Sequence, residues 1–367
     1  MRYGPRDDAA PTQVVQRMTQ RQSRPVGFGS ALISGAILAF GLAACGLSWP
    51  APSAIPIAPI AKPFATVPTP SPVLTARGAT APAPHPVQVV AARSAIHLPS
   101  DLSRSVALPF GSAILLCGGL TGSGATTGSI LRIDLRSGHV SAVGALGSPV
   151  HDAGGAVLNG SGFLFGGGRF GPGAVVQRVG PAGNSASVGH LPAVRADLVA
   201  VSVDGELVIV GGGTSAGPDG RVLATTDGRH FRIVARLTVG VRYPAVAVVG
   251  GFVYVIGGST PSGDTRVIQA IDPRTGAVRI VGHLAHALSH ASALVVGGDL
   301  LVAGGRTAGH AQDAVWQVES ASGTVVRVGR LPYAVSDMAA VVVAGVGYLI
   351  GGEGLDPLDS IIDVSVR

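Results

Sequence analysis

Six times in this chain a short apolar run ends in two glycines: Gly118-Gly119, Gly166-Gly167, Gly211-Gly212, Gly257-Gly258, Gly304-Gly305 and Gly351-Gly352. The first glycines of successive pairs lie 48, 45, 46, 47 and 47 residues apart. A period of this size marks a repeat architecture, and it outranks any reading of single elements. A leucine stands 20 residues ahead of every pair, at Leu98, Leu146, Leu191, Leu237, Leu284 and Leu331, and proline follows it at Pro99, Pro192 and Pro332.

Within each period there is room for four short strands. In the fourth repeat these are Tyr243 to Val249, Phe252 to Ile256, Arg266 to Ile271 and Ala277 to Val281. Gly250-Gly251 and Asp272-Pro273-Arg274-Thr275-Gly276 supply the turns, where φ > 0 and fixed φ are needed. Second strands such as Leu207 to Val210 are apolar throughout, which implies burial on both faces. Four strands per period of about 45 residues predict β-propeller blades. The expected fold is all-β, with six four-stranded antiparallel blades.

The run Val253-Tyr254-Val255-Ile256-Gly257-Gly258, the Ile271-Asp272-Pro273 turn and Tyr348-Leu349-Ile350-Gly351-Gly352 resemble kelch repeats. The resemblance covers residues 87–367 and is degenerate: kelch repeats usually place a tryptophan in the fourth strand, and Trp316 is the only tryptophan of this region. After the sixth pair, Leu358 to Val366 provides a third strand and no fourth. Val87 to His97 precedes Leu98 as Thr324 to Arg330 precedes Leu331, so the N-terminal strand is expected to complete the last blade. Closure of this kind removes exposed sheet edges.

Ahead of the propeller the composition changes twice. Residues 1–25 carry five arginines against two aspartates and little apolar periodicity, a pattern expected of a disordered cytoplasmic segment. Residues 26–49 contain no charge and are long enough to span a bilayer. Arginines before this run and none close after it place the N-terminus in the cytoplasm and the propeller outside it, at the cell membrane. Leu42-Ala43-Ala44-Cys45 resembles the lipobox of bacterial lipoprotein signal peptides, which implies cleavage before Cys45 and lipid on its thiol. An uncleaved signal-anchor and a lipid-modified Cys45 both remain open. Residues 50–86 are a Pro/Ala-rich linker, suited to a semi-rigid polyproline II spacer.

Net charge narrows the partners. Of the formal +6, residues 1–25 contribute +3, Lys62 and Arg77 contribute +2, and the propeller only +1. A nearly neutral domain lacks the basic stripe of a nucleic-acid binder. Cys45 and Cys117 lie in unrelated segments, and Cys117 follows Ile114-Leu115-Leu116, as a buried core residue would.

In a propeller the first strand of each blade lines the central channel, so loops before it share one face with loops after the second strand. The sixth position after each repeat leucine holds Arg104, Asp152, Asp197, Tyr243, His290 and Asp337. The loops after the glycine pairs add Arg169, Thr214, Thr260, Arg306 and Glu353. In a domain with little charge, these residues outline a candidate binding site at a concave mouth. The alternative is that such side chains merely fix their own loops through backbone hydrogen bonds.

No metal or other cofactor is expected. His283, His286 and His290 have helical ligand spacing in a segment that is not helical. The copper site of kelch-like galactose oxidases needs tyrosines and a crosslinked cysteine, which this chain does not offer. Resemblance to the kelch-type sialic acid epimerases implies an alternative, a mutarotase using Arg104, Arg169 or Arg306 as carboxylate clamp and Asp152, Glu353 or His290 as acid/base. Tether, spacer and the lack of a catalytic motif instead point to a membrane-tethered module that binds a protein or glycan through its loop face.

Overall fold

The computed structural model describes residues 86–355 and 359–367, and these form a six-bladed β-propeller. The segments 1–25 and 26–49 and residue Cys45 lie outside the described residues. No helix of the described residues is long and apolar enough to cross a membrane.

Blade one shows the plan: Val106–Phe110, Ala113–Cys117, Ser129–Asp134 and Val140–Ala145 pair antiparallel in that order, from the axis outward. Blades two to five repeat it, and in blade three a two-residue strand, Gly217–Pro218, also pairs with the second strand. The fourth repeat forms Ala245–Val249, Phe252–Ile256, Val267–Ile271 and Val278–His283, within two residues of the boundaries expected from sequence. The shift at Tyr243 has a local cause, described below.

Blade six is closed as its sequence implies. Val89–His97 pairs antiparallel with Ser360–Val366, with Val89 opposite Val366 and Arg93 opposite Ile362. The order is then N-terminal strand, third, second and first strand. At its foot the Arg367 amide donates to the Gln88 carbonyl at 2.9 Å. Among the described residues all six blades have four strands and packed core clusters, so residues 86–367 have the means to fold by themselves.

Second strands are the most buried elements; Ala113–Cys117 is buried at all five positions. Cys117 belongs to that core, and burial pushes its thiol up to about 12. The glycine pairs join the blades. The amide of each second glycine donates to a carbonyl in the loop that opens the next blade: Gly119 to Val150 at 2.8 Å, Gly258 to Leu288 at 2.8 Å, and so around to Gly352, which reaches Leu102 at 3.0 Å. A Cβ on Gly257 would overlap the Leu288 carbonyl oxygen, and its φ is +61°. Close approach and left-handed backbone both require glycine there.

Candidate functional site at the channel mouth

The sixth position after each leucine has a conformation in common. Arg104, Asp152, Asp197, Tyr243, His290 and Asp337 all have φ between 51° and 61°, and they are linked into a closed ring by their backbones. Each amide donates to the carbonyl of its counterpart one blade back: Asp152 to Arg104 at 3.2 Å, Asp197 to Asp152 at 2.9 Å, Tyr243 to Asp197 at 3.0 Å, His290 to Tyr243 at 3.1 Å and Asp337 to His290 at 3.1 Å. Arg104 closes the circle by donating to Asp337 at 3.0 Å. A residue turned into this left-handed bend drops out of the ladder: the fourth repeat starts its first strand at Ala245, and in blade three, where the strand Ala196–Val203 runs through Asp197, the pairing skips that residue.

All six side chains line a central cavity of about 530 Å³ that continues down between the innermost strands. Aspartate and histidine tolerate left-handed backbone comparatively well, whereas arginine and tyrosine do not. The backbone conformation therefore suits the three aspartates and His290 and opposes Arg104 and Tyr243.

Charge at the mouth is organised as a network. Arg104 donates to both carboxylate oxygens of Glu353, at 2.6 and 3.3 Å, and to Asp152 at 3.2 Å. Arg306 pairs with Glu353, with Asp337 at 2.9 Å and with Ser336 Oγ at 2.9 Å. His290 Nδ1 lies 2.7 Å from Asp337, and its ring stacks on Tyr243 with centroids 3.8 Å apart. Across the mouth, Arg242 pairs with Asp197. Each of these three arginines is thus engaged by at least one carboxylate.

Electrostatics separates the acids. Burial, opposed by Arg104 and reinforced by the charges of Asp197 and Asp337, pushes Asp152 up to about 7. Burial acts on Asp337 in the same sense, yet the hydrogen bond and charge of His290, with the charge of Arg104, hold it below the ordinary carboxylate range. Burial would also weaken proton binding by Arg104, but Glu353, Asp152 and Asp337 hold its guanidinium above its usual value. Burial and the charge of Arg104, opposed by Asp197, lower the proton affinity of His151, which lies 3.7 Å from Asp152. A carboxyl poised near neutrality among fixed charges can take up or give a proton at physiological pH.

The loops after the glycine pairs divide by a single residue of offset. Arg306 and Glu353, the first residues after their pairs, bridge back to Ser289 and Ser336 and reach the mouth. Arg169, Thr214 and Thr260 stand one residue further on. Arg169 is exposed, lies over the Phe170 ring at 4.8 Å, and borders a separate hollow of about 330 Å³. Thr214 and Thr260 bond within their own hairpins, to the Ala216 amide and the Gly263 carbonyl. The first set builds the network; the second does not join it.

Sequence reasoning missed Arg242, His151 and Ser336. They share the fifth position after the leucine, which reads Ser103, His151, Ala196, Arg242, Ser289 and Ser336, polar in five of six repeats. That count is a signal available in the sequence. Among the described residues no cluster of histidine, cysteine, aspartate and glutamate is arranged to hold a metal ion.

Comparison with solved structures returns the structure of YjhT, at TM-score 0.63 and 15% identity, covering 74% of this chain and 97% of that one. The likeness extends to the fold, and since 798 solved chains match, fold alone does not select an activity. No family model matches the chain, and no curated protein does.

Proposed function

We propose that this chain is a membrane-tethered, extracytoplasmic propeller of kelch type that binds a glycan or protein ligand at the mouth of its central channel. The observation that carries the reading is the mouth itself: a cavity of about 530 Å³ lined there by Arg104, three aspartates and a stacked Tyr243–His290 pair, with Arg242, Arg306 and Glu353 paired to those charges. Few, convergent polar groups over a mainly apolar hollow are how ligand sites are built. The network is pre-organised, so a ligand meets side chains whose ordering cost is already met. Topology supports the tether. The closing strand begins at Val89 on the face opposite the mouth, so the chain enters the propeller away from the ligand site.

Residues 86–367, screened by thermal shift against neutral sugars, acidic sugars and cell-wall fragments, should be stabilised by at least one ligand. Asp197→Asn and His290→Ala should weaken that ligand about 10- to 100-fold. A ligand that binds both variants as tightly as the parent overturns the reading. Protease added to intact cells should remove the propeller; full protection would overturn the extracytoplasmic placement.

One observation favours a mutarotase as the second reading. Asp152, pushed up to about 7 beside cationic Arg104, has the proton affinity of a general acid/base. Anomer exchange followed by magnetisation-transfer NMR decides it. An enzyme loses turnover and keeps affinity in Asp152→Asn, whereas a binding module shows no accelerated exchange in the parent.

A further inference from the structure

Below the charged collar the channel changes character. Among the described residues its wall consists of Ala, Val, Gly, Leu, Pro and Met, with Ser105, Ser202 and Ser292 as the only polar side chains lining it. Two of those serines are already bonded: Ser105 donates to the Gly118 carbonyl at 2.9 Å and Ser292 to the Met338 carbonyl at 3.1 Å. Ala107, Val157, Val201, Val248, Val295 and Val342 are half-buried, one from each blade, so apolar surface stays open to the axis. An open apolar shaft in a folded domain costs free energy that an apolar occupant recovers.

The collar defines what sits above that occupant. Arg104, Arg242 and Arg306 are each paired with carboxylates, so an anionic head group would have to displace Glu353, Asp337 or Asp197. Carboxylates with unused lone pairs and an aromatic stack instead suit a neutral head group rich in hydroxyl donors. We propose that the channel binds an amphiphile, with a neutral sugar-like head at the collar and an alkyl tail running down the shaft. This rests on the reading of the mouth as a ligand site and adds the chemical class.

The test uses glucose and hexyl, heptyl and octyl β-glucosides, each below its micelle concentration, titrated calorimetrically into residues 86–367. Complete transfer of a methylene from water contributes about 0.8 kcal/mol, or about fourfold in affinity. The inner strand edges also turn backbone groups toward the axis, where water remains, so two- to fourfold per methylene is expected. Ala293→Leu and Ala340→Leu, which narrow the shaft, should flatten that series and leave glucose binding unchanged. Affinity independent of chain length while glucose binds overturns the shaft and leaves the mouth reading standing. A slope unchanged in both leucine variants places the tails elsewhere and overturns the proposal. If the variants fail to fold, the parent series alone decides, by its slope. Loss of glucose binding in Asp197→Asn with the slope retained supports collar and shaft together; no binding by any of the four overturns both.

Discussion

Replacing Asp152 by asparagine isolates the electrostatics of the mouth. Asparagine tolerates the left-handed backbone that this position requires, and its size matches, so the closed ring need not move. Asp152 titrates near 7 in the folded protein against an ordinary 3.8. Its folded pKa is raised, so between these two values the native state holds a proton that the unfolded chain has released, and stability falls as pH rises across the window. Three pKa units correspond to a ceiling of about 4 kcal/mol at pH 8 relative to pH 4. Water drawn toward the ionised carboxylate and adjustment of Arg104 lower this, and about 2 kcal/mol is expected. Asp152→Asn should therefore match the parent near pH 4.5 and exceed it by about 2 kcal/mol at pH 8. Arg104 loses the charge of Asp152 in the variant, but an amide oxygen there can still accept its hydrogen bond and the two-point contact with Glu353 is kept. Urea denaturation of both proteins at pH 4.5, 6, 7 and 8 reads this directly, because other titrating groups cancel in the difference between them. A difference that stays constant across the four pH values would mean that Asp152 is ionised throughout, and the account of the mouth as a desolvated acid cluster would fall.

Three further outcomes follow from the scaffold. Gly257→Ala places a Cβ against the Leu288 carbonyl at a φ of +61° and should cost about 3 kcal/mol, read from the urea midpoint; a cost below about 1 kcal/mol would show that the blade junction yields. Ala344 turns the chain between the first two strands of blade six with φ 51°, where the corresponding turns begin with Asn159, Asp204 or a glycine (Gly111, Gly250, Gly297). Ala344→Asn should stabilise by about 0.5–1 kcal/mol in the same assay, and a destabilised variant would refute the turn assignment. Deleting residues 86–97 removes the strand that covers Ser360–Val366 and exposes an edge, so size-exclusion chromatography should show association or aggregation; a stable monomer with an unchanged melting temperature would refute closure by this strand.

The blades were legible in the sequence because their cause is local and repeated. Two left-handed glycines at each junction, an apolar second strand and a leucine at constant distance recur in every unit, so six weak signals reinforce one another. Even the closing strand could be placed, since the last repeat lacks the fourth strand that Val89–His97 supplies. The mouth was legible only as a set of positions. That Arg306 faces it and Arg169 does not depends on one residue of offset along a short hairpin, and hydrophobic periodicity carries no information about a polar loop. Arg242 is a related case: it stands at the fifth position after the repeat leucine, one residue before the ring, and still joins the network through Asp197. The left-handed ring also changes how residue types there should be weighed. At an unconstrained position arginine or tyrosine is unremarked, but at a φ near 50° each opposes the backbone by about 1 kcal/mol or more, a cost that aspartate or glycine would largely avoid. Of the six ring residues, Arg104 and Tyr243 are therefore those whose identity the scaffold explains least, and they are where a ligand contact has the strongest physical case.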